Sequence, residues 1–174
     1  MNDSFSIRRA APEDLPQIMS IYARARAFMA AHGNPHQWGD RGWPPQALIE
    51  KDIERGKSFL CERDGLIAAV FYYDFGPDIE PTYRRIDEGQ WLSDTPYGVV
   101  HRIASSGRFS GAGRWALQWA LRESGHLRID THGDNTVMQS LLLSLGFTPC
   151  GTIFVYEDND PRIAYEKVLE NGET

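Results

Sequence analysis

The chain has 174 residues, 41% of them hydrophobic and 24% charged, with a formal net charge of −6. That length suits one domain, spanning residues 1–174, with a sizeable core. The acidic balance argues against nucleic acid as the main partner. No apolar run approaches a membrane span, and the first residues, MNDSFSIRR, lack a signal peptide's apolar stretch, so a cytoplasmic location is expected.

Ser4–Arg9 alternates well enough for a first strand. Pro12-Glu13-Asp14 then opens a helix, with proline in its first turn and acids at the positive end. Its apolar stripe is Leu15, Ile18, Met19, Tyr22, Ala25 and Met29, and Gly33-Asn34-Pro35 stops it. An aromatic loop, His36–Pro45, leads to a second helix through Ile49 and Ile53, closed by Gly56. Ser58–Glu62 and Leu66–Tyr73 read as strands joined through Asp64-Gly65, a strong hairpin signal. Residues 74–96 have no clear period and read as an ordered excursion with a short helix.

Val99, Val100 and Ile103 mark a central strand. Gly107, Gly111 and Gly113 break it, and Trp115–Glu123 continues as a helix that ends near Gly125. Leu127–Thr131 is a fifth strand. Met138, Leu141, Leu142 and Leu145 mark a helix at spacing i, i+3, i+4, i+7, ended by Gly146. Phe147–Tyr156 and Arg162–Val168 form a last antiparallel pair around Asp158-Asn159-Asp160-Pro161, and the tail ENGET frays. The two cysteines, Cys61 and Cys150, lie in separate strands and read as buried free thiols.

The stretch Tyr97–Arg114, YGVVHRIASSGRFSGAGR, carries the chemistry. A strand, a glycine turn and a helix N-terminus make an anion site, because glycines let a ligand approach the backbone and unpaired N–H groups point outward. A phosphate-bearing cofactor is the natural occupant. No GxxxxGK[ST] string occurs, and Gly111-Ala112-Gly113 gives only a weak dinucleotide match, late in the chain. Charge follows the same stretch. Residues 98–128 hold five arginines (Arg102, Arg108, Arg114, Arg122, Arg128) against Glu123, a balance of +4 that leaves −10 elsewhere. A basic pocket inside an acidic shell suits a polyanionic cofactor and a cationic amine, and ordinary helix solvation gives the same count.

Arg108-Phe109-Ser110-Gly111-Ala112-Gly113 meets the pattern [QR]xxGx[GA]. The strand VVHRIA precedes it, and LRIDTH, Asp134-Asn135 and Leu145-Gly146-Phe147 follow. In this the chain resembles the GNAT superfamily of acyl-CoA-dependent N-acyltransferases, over Gly98–Val168 and with a fitting N-terminal part. The resemblance implies an α/β (α+β) fold. Its mixed, mostly antiparallel sheet of seven strands is flanked by helices on both faces and splayed between strands 4 and 5. It implies acetyl-CoA as co-substrate, with pantetheine along Ile103, Ala104 and Ser105. The main chain of Arg108, Phe109, Ser110, Gly111, Ala112, Gly113 and Arg114 would hold the pyrophosphate. Asn135 would contact pantetheine; its other reading is a helix N-cap.

The implied reaction is attack of a neutral amine on the thioester, with the Ile103 N–H as oxyanion donor. His101 stands where many relatives place a glutamate and is the first candidate base; His132 is the second, or a turn cap. No histidine or cysteine spacing suggests a metal. Trp38, Trp43, Tyr83 and Trp91 are expected to face the acceptor, or else to close the core. The acceptor is a small-molecule or peptide amine, and a homodimer is the family's habit. Two features depart from the pattern. Leu142 stands where many relatives carry the tyrosine that protonates the thiolate, and the span from Ala104 to Arg108 is shorter than usual. A non-catalytic acyl-CoA-binding or regulatory module of the same fold is therefore the alternative.

Overall fold

The computed structural model describes residues 4–156 and 159–170. Asp158 of the last turn and all but the first residue of the tail ENGET lie outside them. Along the chain run β1 (Ser6–Arg9), α1 (Leu15–Ala31), α2 (Gln46–Glu54), β2 (Ser58–Arg63), β3 (Leu66–Gly76), β4 (Tyr97–Ser105), α3 (Ala112–Ser124), β5 (His126–Thr131), α4 (Thr136–Ser144), β6 (Thr148–Phe154) and β7 (Pro161–Val168). The seven strands form a sheet in the order β1-β2-β3-β4-β5-β7-β6. β1–β2, β2–β3, β5–β7 and β6–β7 pair antiparallel, while β4 and β5 pair parallel. That parallel ladder is two pairs long, Gly98↔Leu127 and Val99↔Arg128. Among the described residues no helix is long and apolar enough to cross a membrane.

The described residues group into two compact units. One holds those up to Tyr73 together with His101–Leu117, and the other holds Asp74–Val100 and those from Gln118 onward. In the first, the i, i+3, i+4 spacing of Ile18, Ile21 and Tyr22 puts one face of α1 into a core shared with Ile49, Ile53, Leu60, Ile67 and Val70. Burying each such aliphatic side chain contributes roughly 1.5–3 kcal/mol. The start of α1 is fixed by Asp14, which accepts the Ala11 N–H at 2.8 Å and takes the Arg8 guanidinium at 2.7 Å. Asp64 and Gly65 both adopt positive φ, 53° and 73°, as a two-residue hairpin between β2 and β3 requires. A smaller cluster of Cys61, Ala68, Ala69 and Ala112 is flanked by Phe5, Phe109 and Trp115, which anchors the start of α3.

In the second unit the excursion 74–96 is held by buried charge rather than by a period. Glu166 on β7 has no exposed surface. It accepts from His126 Nε2 at 2.5 Å, from Arg128 Nε at 3.0 Å and from the Leu92 N–H. The Arg128 guanidinium lies 4.2 Å from the ring centres of both Trp91 and Tyr97. Burial would raise the Glu166 carboxyl, yet the bonds from His126, Leu92 and Arg128 outweigh it and hold it below the usual range. Both cysteines are buried free thiols, and burial pushes Cys61 up to about 12 and Cys150 up to about 11.

Candidate active site

β4 is kinked within its span. Arg102 adopts φ 50°, a left-handed conformation that costs a non-glycine residue about 1–2 kcal/mol. Three neighbours hold it there. Asp52 of α2 accepts Arg102 Nε at 3.0 Å and Nη2 at 2.9 Å. The Tyr22 hydroxyl of α1 donates to the Arg102 carbonyl at 2.7 Å. The guanidinium also lies 4.5 Å from the Tyr72 ring centre. Burial pushes the Asp52 carboxyl above the usual range, with Arg102 pulling the other way. His101, one residue before the kink, is half-buried, with its ring stacked 5.7 Å from Tyr72. Ile103 is half-buried, Ala104 buried and Ser105 exposed.

Past β4 the chain turns tightly. The Ser106 N–H donates to Ala68 O at 2.8 Å, the Gly107 N–H to Ser105 Oγ at 3.1 Å, and the Arg108 N–H to Ser106 Oγ at 3.4 Å. The two serines thus shape the turn that the short span demands. Gly107 and Gly111 have φ of 74° and 84°, which L side chains adopt only with strain. A side chain at Gly111 would meet nothing within 4 Å, so the main chain there is open to a ligand. Trp115 N–H donates to Gly111 O at 2.9 Å and closes the first turn of α3. The N–H groups of Ala112 and Gly113 precede that bond and have no carbonyl of the helix to take. Phe109 is half-buried against the Phe5 ring, while Arg108, Ser110 and Arg114 are exposed. An open glycine main chain before a helix N-terminus, with two exposed arginines, fits a phosphate group.

His132 Nδ1 accepts the Asp134 N–H at 3.0 Å, and Nε2 lies 3.8 Å from Asp160 Oδ2. The first is the bond of a turn cap. Asn135 Oδ1 accepts the Met138 N–H at 3.1 Å, as the N-cap of α4. Of the four aromatic rings expected to face an acceptor, two are in the core. Trp38 is 9% exposed and edge-on to Tyr22. Tyr83 is 2% exposed, and its hydroxyl donates to Asp130 at 2.8 Å. Trp43 and Trp91 are half-buried; Trp91 covers Arg128 and donates to Tyr83 O at 2.9 Å. Leu142 is fully buried. Two of the five clustered arginines, Arg102 and Arg128, are spent on Asp52 and Glu166, so the charge count overstates the cation open to a ligand. Asp52 is the residue that sequence reading missed. Its one signal is an acid on the buried face Ile49, Asp52, Ile53 of α2.

No protein-family model and no curated protein matches the sequence. Solved structures do match it. A GNAT-family acetyltransferase of Streptococcus agalactiae shares 34% identity over 97% of this chain and 98% of its own, with a TM-score of 0.87. A GNAT-family acetyltransferase of Listeria monocytogenes shares 22% over 95% of each chain, with a TM-score of 0.68. The ribosomal-protein-S18-alanine N-acetyltransferase of Escherichia coli shares 17% over 98% of each, with a TM-score of 0.61. The two more distant likenesses carry the fold, which is that of acetyltransferases. The first carries more, and the chain belongs to the GNAT family.

Proposed function

We propose that this acetyltransferase moves the acetyl group of acetyl-CoA to a primary amine of a small molecule or peptide, by direct attack on the thioester. The observation that carries the reading is the turn at Gly111, whose positive φ and open surroundings leave its main chain accessible just before the first N–H groups of α3. Those groups and the main chain from Arg108 to Arg114 hold the pyrophosphate. The main chain of Ile103, Ala104 and Ser105 takes the pantetheine. The amine nitrogen bonds to the thioester carbon, the carbon–sulfur bond breaks, and the Ile103 N–H donates to the oxygen on which charge develops; one such donor is worth roughly 3 kcal/mol. His101 takes the amine proton. Leu142 offers no proton to the thiolate, so water or another side chain supplies it.

Thiol release from acetyl-CoA across a panel of amines tests this. Release that depends on one amine class supports the reading. CoA binding with no release from any amine leaves the alternative, a non-catalytic acyl-CoA-binding module, which the buried Leu142 favours. Gly111→Asp places a carboxylate at the anion site and strains the backbone. It is expected to weaken CoA binding by at least about tenfold in a folded protein; unchanged affinity contradicts the assignment of the loop.

A further inference from the structure

Arg24 on α1 reaches the turn between β4 and α3. A Cβ built on Gly107 would lie 1.9 Å from Arg24 Nη1 and 2.1 Å from both Cζ and Nη2. The guanidinium therefore rests directly on the Gly107 main chain, in the space that any other residue's side chain would fill. This pairs the two positions: the glycine makes room for the arginine.

The placement is unusual in its electrostatics. Arg8 lies on Asp14 and Glu62, and Arg102 lies on Asp52. Arg24 is exposed and has no hydrogen bond or ion pair among the described residues. The turn offers it no acid either, since residues 105–114 include Arg108 and Arg114 and no carboxylate. A guanidinium lies against a segment whose charged side chains and helix N-terminal dipole share its sign. Repulsion of that kind is relieved by an anion that all of them can reach, and the planar fork of an arginine suits two phosphate oxygens at once.

We propose that Arg24 is a ligand of the CoA pyrophosphate, supplied by α1 to the turn that the glycines open. This rests on the acetyl-CoA reading above. Calorimetric titration of the full chain with CoA and with dephospho-CoA tests it in wild type, Arg24→Ala, Arg24→Lys and Gly107→Ala. Arg24→Ala is expected to weaken both ligands by the same factor, about tenfold, and Arg24→Lys to recover part of the loss. Gly107→Ala puts a methyl group where the guanidinium lies and weakens both ligands too. In the double variant Arg24→Ala, Gly107→Ala the losses fall short of multiplying. Unchanged affinity in Arg24→Ala overturns the proposal, and so does a loss seen with CoA but absent with dephospho-CoA, which would place Arg24 on the 3′-phosphate instead. If wild type binds neither ligand, the acetyl-CoA reading itself fails and the proposal falls with it.

Discussion

At the scale of single residues, the strained Arg102 is the point where fold and chemistry meet. Its left-handed φ lies three residues beyond Val99, the last residue of β4 paired with β5. Asp52, Tyr22 and Tyr72 hold it from three other elements of the same unit. Asp52→Asn keeps the shape and removes the charge. It is expected to lower turnover roughly tenfold, because Arg102 loses the carboxylate that holds the strand in place. Glycine adopts the left-handed conformation without strain. Adding Arg102→Gly to Asp52→Asn is therefore expected to restore most of the turnover. Steady-state rates check both, and a double variant no faster than Asp52→Asn would place Asp52 on the substrate instead. His101→Ala is expected to lower turnover more than CoA affinity and to flatten the acid limb of the pH–rate profile. An unchanged profile removes His101 from the reaction. The glycines were legible in the letters because a positive φ leaves few other residues to choose from. Asp52 and Arg24 were not, since each meets a partner far along the chain and neither alters the local pattern.

At the scale of elements, hydrophobic period and turn chemistry carry most of what can be read. The stripe of α1 and the Asp64-Gly65 hairpin stand where the letters put them, because each is decided by contacts a few residues apart. α3 begins at Ala112, ahead of the Trp115 start that the helix formers suggest, because a glycine costs little in a first turn that Phe5, Phe109 and Trp115 already pack. The excursion 74–96 was legible as ordered with a short helix, which stands as a 3-10 turn at Pro81–Arg84. Its order comes from Glu166, far along the chain on β7, through Leu92, His126 and Arg128. That network predicts a pH dependence of stability. The folded carboxyl lies below its unfolded value, so its contribution is fully present above about pH 4.5. It is lost as pH falls through the lower folded value. Glu166→Gln is expected to cost about 3–5 kcal/mol near neutral pH, by stranding Arg128, and to flatten the acid fall in stability. Unfolding curves from pH 3 to 7 check this; parallel curves for variant and wild type would remove Glu166 as the source.

At the scale of the whole molecule, the mixed, mostly antiparallel sheet of seven strands that the family resemblance implies is the sheet found, with β4 and β5 as its parallel pair. The charge split is less simple than a count suggests, because Arg102 and Arg128 are neutralised inside their own units. Exposed at the turn are Arg108, Arg114 and Arg24. A ligand that binds the folded state alone raises stability by about 2.7 kcal/mol at a hundred times its Kd. Acetyl-CoA and CoA are accordingly expected to raise the melting temperature, and ATP and NAD to raise it less. A larger shift with either nucleotide would argue for a different occupant of the turn.

The most direct test is a crystal structure of the chain grown with CoA. Main-chain amides gathered at Gly111, Ala112 and Gly113 should lie within hydrogen-bond distance of the diphosphate, with the pantetheine running along Ile103–Ser105. A diphosphate bound away from those amides, or a pantetheine that never meets β4, would contradict the account.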